Sequence, residues 1–308
     1  MKQKITVFGS FVVDLMARTP HLPVPAETVR GSFFKQGPGG KGFNQAVAAH
    51  KAGGDVAMVT KVGRDSMANV MLDTMTELGM TKEFLAYNEE VATGIALILV
   101  DEKTSQNEIV IVPGSCNTIT DEDIERAKPR LLESGYCQLQ LEVNQDANEK
   151  VAKLCKENGV KLIINTAPYS PMSDEFLSGA YLVTPNEVEA EEVTGVKVVD
   201  QESASRAAKV FFEKGVQNVL ITMGSKGAFV SSEGREEMVP CFKVQALDTT
   251  GAGDAFNGGL LAALAEGKDL WEAARFASAL AAISVTRMGT TPAMPTREEI
   301  DAFLAERG

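Results

Sequence analysis

The stretch DTTGAGDAFNGG, residues 248–259, places two carboxylates around a glycine-rich turn that leads into an apolar run. A Gly-Ala-Gly turn before a helix leaves backbone N–H groups free at the positive helix end, which predicts an anion hole at 251–253. A carboxylate beside that hole suits phosphoryl transfer, because it can accept the proton of an attacking hydroxyl. Asp254 is therefore the candidate general base. A charge that merely favours the helix N-terminus is the alternative. Asp248 precedes that helix and is a candidate cation ligand.

A second glycine-rich turn, GPGGKGFNQAVAA at 37–49, opens an alanine-rich helix. It is not a phosphate-binding P-loop, because Phe43 follows Gly42 where that motif requires Ser or Thr. Glycines allow a ligand to approach the backbone closely, and the helix start offers free N–H groups. Lys41 and Asn44 are thus candidate ligand-binding residues, with a tight turn that binds nothing as the alternative.

The third motif is TPNEVEAEEVTG at 184–195. Asn186 and Glu189 are three residues apart and share a helix face. Both side chains suit a hydrated Mg²⁺ ion, which proteins hold through few oxygen ligands together with nucleotide phosphates. A capping box, with Asn186 as the N-cap and Glu189 at N3, explains the same pair without a ligand.

Short runs of β-branched residues alternate along the chain with helical patterns, and the elements they predict position the three motifs. Strands are predicted at 5–10, 56–62, 136–142, 160–166, 180–185 and 218–224. Helices are predicted at 41–52, 66–79, 120–134, 146–158, 186–194, 201–214, 252–266, 269–287 and 296–305, with a hairpin over 227–240. This alternation predicts a mostly parallel sheet with helices on both faces. Ligands bind at the carboxyl ends of such strands, where a polar edge is expected: Asp14, Glu142, Asn165, Asn186 and Gly224.

Two regions do not fit the repeat. Residues 28–40 and 94–112 are predicted to be antiparallel strand pairs, the second with a loop at 101–108. They predict a small separate sheet that serves as a lid or a partner-binding patch. An antiparallel edge added to the main sheet is the alternative.

Composition excludes several classes of protein. The net charge of -12 argues against binding nucleic acid or an anionic membrane. The four cysteines form no CxxC pair, and the two histidines, His21 and His50, are too few for a histidine metal cluster or a catalytic triad. No membrane span or signal peptide is expected, so a cytoplasmic protein is predicted. A dinucleotide oxidoreductase would need GxGxxG after the first strand, where the chain has FGSFVVD.

The three motifs, together with VLITMGSKGA at 219–228 and SVTRMGTTPAMP at 284–295, resemble those of the ribokinase-like (PfkB) carbohydrate kinases over essentially the whole chain. The resemblance implies one kinase domain over 1–308, a three-layer α/β/α sandwich with a small β-sheet lid at about 11–40 and 84–113. It implies transfer of the ATP γ-phosphoryl group to the 5-hydroxyl of a pentose, with D-ribose first and 2-deoxyribose, another sugar or a nucleoside as alternatives. A non-catalytic sensor on the same fold would often lose Asp254 or the Gly-Ala-Gly turn, and this chain keeps both.

Roles for individual residues follow from the resemblance alone. Asp254 would be the base, and the anion hole would be formed by Gly251, Ala252 and Gly253. The sugar would be held by Asp14, Gly40, Lys41, Asn44, Glu142 and Asp254. ATP would be bound by Asn186, Thr222, Gly224, Ser225, Gly227, Gly253 and Ser278. Mg²⁺ would be organised through water by Asn186 and Glu189, and an activating K⁺ would be surrounded by Asp248, Thr250, Val285 and Gly289. A homodimer would form through the lid.

One position departs from the family pattern. The first strand of such kinases ends GSxNxD, and here Val12 replaces the Asn that binds a sugar hydroxyl, while Asp14 is retained. A hydroxyl that faces valine loses its hydrogen-bond partner, which costs about 1–3 kcal/mol. Val12 therefore favours a deoxy sugar or a different sugar altogether, although Asp14 alone can bind two hydroxyls and ribose is not excluded. Phe43, bulkier than the usual alanine, is expected to narrow the sugar pocket.

Overall fold

The computed structural model describes residues 2–104 and 106–307, which form two β-sheets and the helices that cover them. The strands are β1 (Lys4–Phe8), β2 (Val12–Thr19), β3 (Phe33–Gly39), β4 (Asp55–Gly63), β5 (Leu85–Asn88), β6 (Thr93–Asp101), β7 (Asn107–Gly114), β8 (Tyr136–Leu139), β9 (Lys161–Ile164), β10 (Leu182–Val183), β11 (Asn218–Thr222), β12 (Ala228–Ser232) and β13 (Arg235–Val239). The helices are α1 (Lys41–Lys51), α2 (Ala68–Leu78), α3 (Asp121–Glu133), α4 (Gln145–Glu157), α5 (Asp174–Leu177), α6 (Glu187–Thr194), α7 (Gln201–Glu213), α8 (Ala252–Ala265), α9 (Leu270–Ser284) and α10 (Arg297–Arg307). None of the described helices is long and apolar enough to cross a membrane.

The large sheet has the strand order β13-β12-β11-β10-β9-β8-β1-β4-β5. Pairing is parallel from β11 to β5, and the hairpin β12–β13 adds two antiparallel strands at one edge. The predicted parallel sheet is confirmed. Because parallel strands end on the same side, the loops after β1, β8, β9, β10 and β11 meet at one edge.

Helices cover both faces of the large sheet, and each face has its own apolar core. Residues of α1, α2, α8, α9 and α10 form one core, and residues of α3 to α7 form the other. Helices α1 and α8 approach closely because Gly258 has no side chain. A Cβ atom there would lie 2.4 Å from the Ala48 side chain and 2.6 Å from the Gln45 carbonyl oxygen. This close contact joins two of the predicted motifs.

A separate four-stranded sheet has the order β3-β2-β6-β7, so the extra strands are not an edge of the large sheet. The hairpin predicted at 94–112 is confirmed as β6 and β7, and Ser105 of its loop lies outside the described residues. The strand pair predicted within 28–40 is wrong. Only β3 forms there, and its antiparallel partner is β2, because the proline-rich stretch 20–25 is a loop between them. Residues 85–88 pair with β4 in the large sheet.

Candidate active site

The start of helix α8 borders a cavity of about 220 Å³. Gly251 caps the helix with φ of 74°, a left-handed conformation that glycine adopts without strain. The N–H of Ala252 donates to the Thr249 carbonyl at 3.2 Å. Among the described residues, the N–H groups of Gly251 and Gly253 have no such partner. Two of the three predicted amides are therefore free to bind an anion at the positive end of the helix.

The cavity brings together residues from all three motifs. Nine residues predicted from the sequence line it: Lys41, Asn165, Asn186, Glu189, Thr222, Gly251, Ala252, Gly253 and Asp254. Four others complete the lining: Ala167, Thr184, Thr249 and Asn257. The lining is largely polar and comes from the loops after β9, β10 and β11 and from the starts of α1 and α8. A ligand here would meet one ammonium, two carboxylates and a helix N-terminus.

Asp254 lies at the junction of α8 and α1, and only 7% of its surface is exposed. Its Oδ2 accepts a hydrogen bond from Nδ2 of Asn44 at 3.0 Å. Its Oδ1 accepts one from Nε2 of Gln45, also at 3.0 Å. Each oxygen retains a further lone pair, so the carboxylate is held in place and can still accept a proton.

Glu142 anchors the start of α1. Its Oε2 accepts hydrogen bonds from the Ser10 hydroxyl at 2.5 Å and from the Lys41 backbone N–H at 2.9 Å. Gly40 precedes this helix with φ of 88°. Lys41 is therefore fixed as the first residue of α1, with its side chain on the cavity. The Lys41 N–H thus joins the glycine-rich turn to Glu142, which follows β8.

Charge is concentrated around this point. Burial raises the pKa of Asp14 to about 6, and the negative charges of Glu142 and Asp254 add to the rise. Burial also raises the pKa of Glu142, despite the nearby Lys41 ammonium. For Lys41, burial alone would lower the pKa, but Asp254, Glu142 and Glu189 outweigh it and the pKa is raised. Lys41 thus stays positive among four carboxylates.

Asn186 and Glu189 form a reciprocal capping box at the start of α6. The Glu189 N–H donates to Oδ1 of Asn186 at 2.9 Å, and the Asn186 N–H donates to Oε2 of Glu189 at 3.0 Å. The Asn186 amide also donates to Oε1 at 2.8 Å. The structure therefore contains the capping box that was the alternative to a Mg²⁺ site. The same two residues also border the cavity. Burial raises the pKa of Glu189, against the opposing effects of the Asn186 N–H and Lys41.

Four of the predicted nucleotide residues are not part of the cavity lining: Gly224, Ser225, Gly227 and Ser278. Thr222, which lines the cavity, ends β11 and bridges to Asn186. Gly224 and Ser225 follow in a short 3₁₀ turn, and Gly227 leads into β12 with φ of 102°. Ser278 is buried in α9.

Asp248, predicted to bind a cation, receives two backbone hydrogen bonds. The Thr250 N–H donates to Oδ1 at 2.9 Å and the Gly289 N–H donates to Oδ2 at 2.9 Å. Burial opposes ionisation, but these bonds outweigh it and lower the pKa of Asp248. The Val285 carbonyl already accepts the N–H groups of Leu247 and Asp248, at 2.7 and 3.1 Å. Among the residues predicted to surround K⁺, Val285 is thus the one whose carbonyl is least available to bind the ion.

Three polar residues near Asp254 were not predicted from the sequence. Gln45 contacts Asp254, while Thr184 and Asn257 line the cavity and are joined by a hydrogen bond of 2.6 Å. A signal existed for two of them. Gln45 and Asn257 are amides in helices whose buried residues are mostly apolar, and buried amides need internal partners.

Known proteins resemble this chain along nearly its whole length. Residues 2–297 match the model of the pfkB family carbohydrate kinases. A ribokinase from Haemophilus influenzae is 41% identical over 304 residues, which cover 99% of this chain and 99% of that protein. A deoxyribokinase from Salmonella typhi is 35% identical over 302 residues, which cover 98% of each. The structure of Arabidopsis thaliana ribokinase complexed with ribose and ATP matches with a TM-score of 0.91 and 29% identity, and covers 99% of both chains.

Proposed function

The chain belongs to the pfkB family of carbohydrate kinases, and we propose that it transfers the γ-phosphoryl group of ATP to the 5-hydroxyl of D-ribose. The products would be D-ribose 5-phosphate and ADP. The single observation that carries this proposal is the placement of Asp254. It is a buried carboxylate, held by two amides, at the N-terminus of a helix whose free N–H groups border the same cavity.

Asp254 acts as the general base in this proposal. A sugar hydroxyl within hydrogen-bond reach transfers its proton to the carboxylate as it attacks the γ-phosphorus. The N–H groups of Gly251 and Gly253, with the helix dipole, stabilise the charge on the transferring group. The Ala252 N–H would join them once it leaves the Thr249 carbonyl. Lys41 adds positive charge on the same side of the cavity.

The sugar would be held opposite ATP by the start of α1, by β2 and by the segment that follows β8. Asp14 and Glu142 accept hydrogen bonds from sugar hydroxyls, while Lys41 and Asn44 donate them, with Gly40 allowing close approach. ATP would lie along the edge formed by α6, β11 and α9. It would contact Asn186 and Thr222 first, then Gly224, Ser225 and Gly227, and Ser278 near the adenine.

Two cations complete the proposal. Asn186 and Glu189 would hold Mg²⁺ through its waters, since the Glu189 carboxylate keeps lone pairs beyond those used in the capping box. When bound, Mg²⁺ neutralises phosphate charge. K⁺ would lie near Asp248 and the carbonyls of Thr250 and Gly289, whereas Val285 contributes only if it releases its N–H donors.

The identity of the sugar is the part of the proposal that depends most on a single residue, Val12. Val12 begins β2 and is only 5% exposed, so a 2-hydroxyl that faced it would lack a hydrogen-bond partner. This observation supports 2-deoxy-D-ribose as the second candidate substrate. Similarity to proteins named ribokinase and deoxyribokinase supports both sugars, and the higher identity to the former supports ribose first.

The small sheet would act as a lid and a dimer interface. Its apolar side chains Phe33, Phe34, Ile109 and Val110 are at least half exposed, and such a patch is typical of a protein–protein interface. A homodimer joined through two lids would cover it. A cytoplasmic location belongs to the same proposal, because the phosphoryl donor is ATP and the four cysteines are free thiols.

The test of the proposed chemistry is Asp254→Asn. This change keeps the shape of the side chain and removes its basicity. It should lower kcat by at least ~10² while sugar and ATP still bind. Asp269→Asn is the matched control, since it makes the same change at the N-cap of α9, where asparagine caps equally well. Near-normal turnover by Asp254→Asn would remove Asp254 from its role. Wild-type protein that binds both ligands without turnover would instead be a sensor.

A further inference from the structure

A fully buried glutamine lies directly behind the proposed base. Gln45 is in α1, next to Asn44, and has no exposed surface. Its Nε2 donates to Oδ1 of Asp254 at 3.0 Å. Because the side chain of Gln45 is completely buried, it acts on the chemistry only through its contact with Asp254.

The orientation of the Gln45 amide is set by its other contacts. Nε2 of Gln140, also fully buried, donates to Oε1 of Gln45 at 2.7 Å. Nε2 of Gln45 donates a second hydrogen bond, to Oδ1 of Asn165 at 3.0 Å. Asn165 is oriented in turn by its own amide, which donates to the Thr184 carbonyl at 2.8 Å. A main-chain carbonyl can only accept, so the direction of the whole chain of bonds is determined.

A reversed Gln45 amide would create three repulsive contacts. Its carbonyl oxygen would face the Asp254 carboxylate and Oδ1 of Asn165, and its NH₂ group would face the NH₂ group of Gln140. Asn44 also has a second partner, since the Thr291 hydroxyl donates to its Oδ1 at 3.0 Å. Each oxygen of Asp254 therefore meets an amide donor that a further residue holds in place.

The charges that face Asp254 make these neutral donors important. Lys41 supplies positive charge, and Asp14, Glu142 and Glu189 supply negative charge. The direct hydrogen bonds to the Asp254 oxygens come from none of these charged groups but from the amides of Asn44 and Gln45. Hydrogen bonds to a charged group are about twice as strong as those between neutral groups.

We propose that Gln45, oriented by Gln140, is a positioning residue that holds Asp254 ionised and directed at the attacking hydroxyl. This inference rests on the proposed function, in which Asp254 is the base. Gln45 and Gln140 join the base to the carboxyl end of β8, where Glu142 binds the start of α1. One network thereby sets the position of the base and of the sugar-binding turn together.

The experiment replaces Gln45 with methionine, which has a similar shape and no N–H donor. Gln45→Met should lower kcat by about 10-fold and leave KM for sugar and ATP within about twofold, since no substrate contact is lost. The acidic limb of the kcat profile should move about 1 pH unit higher, because the anion loses a donor. A ¹³C NMR titration of the Asp254 carboxylate should have its midpoint at a higher pH in Gln45→Met than in wild type. The signal is assigned by its absence from Asp254→Asn, and the measurement does not depend on turnover.

Two further variants separate positioning from simple loss of stability. Gln140→Met should lower kcat and move the acidic limb of the pH profile to higher pH, as Gln45→Met does. The double variant should differ little from Gln45→Met alone. Asn218→Leu is the control, because it removes another buried amide with two partners, at the far end of β11. It should lower stability and leave the pH profile unchanged.

The outcomes distinguish this inference from the proposed function. If Asp254→Asn is inactive but Gln45→Met and Gln140→Met keep the wild-type pH profile and NMR titration, the positioning role is wrong and the base stands. If Asp254→Asn turns over normally, the proposed base is wrong. The NMR titration then still decides whether Gln45 stabilises the carboxylate. The inference would also be overturned if Asn218→Leu shifted the pH profile and the NMR titration as much as Gln45→Met does.

Discussion

Replacing Asp14 with asparagine should make the protein more stable and less able to bind sugar. Asp14 is in β2, close to the charges of Glu142 and Asp254, and its pKa rises from 3.8 to about 6. A group whose folded-state pKa is raised contributes stability that is present at low pH and is lost as the pH rises through the folded value. At pH 7.5, the ionised Asp14 therefore destabilises the folded state relative to a neutral side chain.

The size of this effect follows from the pKa. The rise from 3.8 to about 6 corresponds to about 3 kcal/mol at 1.36 kcal/mol per pH unit. That value is an upper bound, because water reaches part of the side chain and screens its charge. Asp14→Asn should thus raise the free energy of unfolding by up to about 3 kcal/mol at pH 7.5. The gain should shrink as the pH falls from 6 towards 3.8, where Asp14 itself becomes neutral.

Urea denaturation of both proteins at pH 7.5 and at pH 4 measures this difference. Asp73→Asn, at an exposed position of α2, is the control and should behave as wild type at both pH values. The sugar KM of Asp14→Asn should rise at least ~10-fold, because a charged hydrogen-bond acceptor is lost. A variant that is no more stable at pH 7.5, or equally stabilised at both pH values, would refute the reasoning.

Three other predictions concern the sugar, the cation and the lid. Val12→Asn should raise kcat/KM for ribose relative to 2-deoxyribose by about 10-fold, because the 2-hydroxyl gains a partner; an unchanged ratio would remove Val12 from sugar selection. Replacing potassium by sodium should lower kcat in wild type but not in Asp248→Asn, and equal wild-type rates in both salts would count against the cation site. Val110→Lys, at a lid position 59% exposed, should give monomers in sedimentation experiments. Leu132→Lys, exposed on α3 outside the lid, should not.

Much of the fold was predictable because its signals are local. The alternation of β-branched runs with helical patterns indicated a parallel sheet covered on both faces, and the hairpin β6–β7 was visible as two apolar runs around a polar loop. The pairing of β2 with β3 and with β6 was not predictable in this way. Those contacts join segments far apart in the chain, and strand partners at such separations leave no local pattern in one sequence.

The site was predictable where backbone geometry demands special residues. Gly251 needs a left-handed conformation, and the adjoining Asp254 then stands at a helix N-terminus, so the motif itself indicated anion chemistry. Gln45 was missed because its role depends on Gln140, which is 95 residues away in sequence. The capping box of Asn186 and Glu189 and the metal site proposed for them could not be separated from spacing, since both need the same two residues.

The most direct test of the central claim is the identity of the phosphorylated product. The wild-type protein would be incubated with Mg-ATP, potassium and either D-ribose or 2-deoxy-D-ribose, and the products followed by ³¹P NMR with proton coupling. The account predicts ADP together with a phosphomonoester coupled to the two protons on C5 of the sugar, with ribose the better substrate. A phosphate on another carbon, or ATP cleaved only to inorganic phosphate, would contradict it.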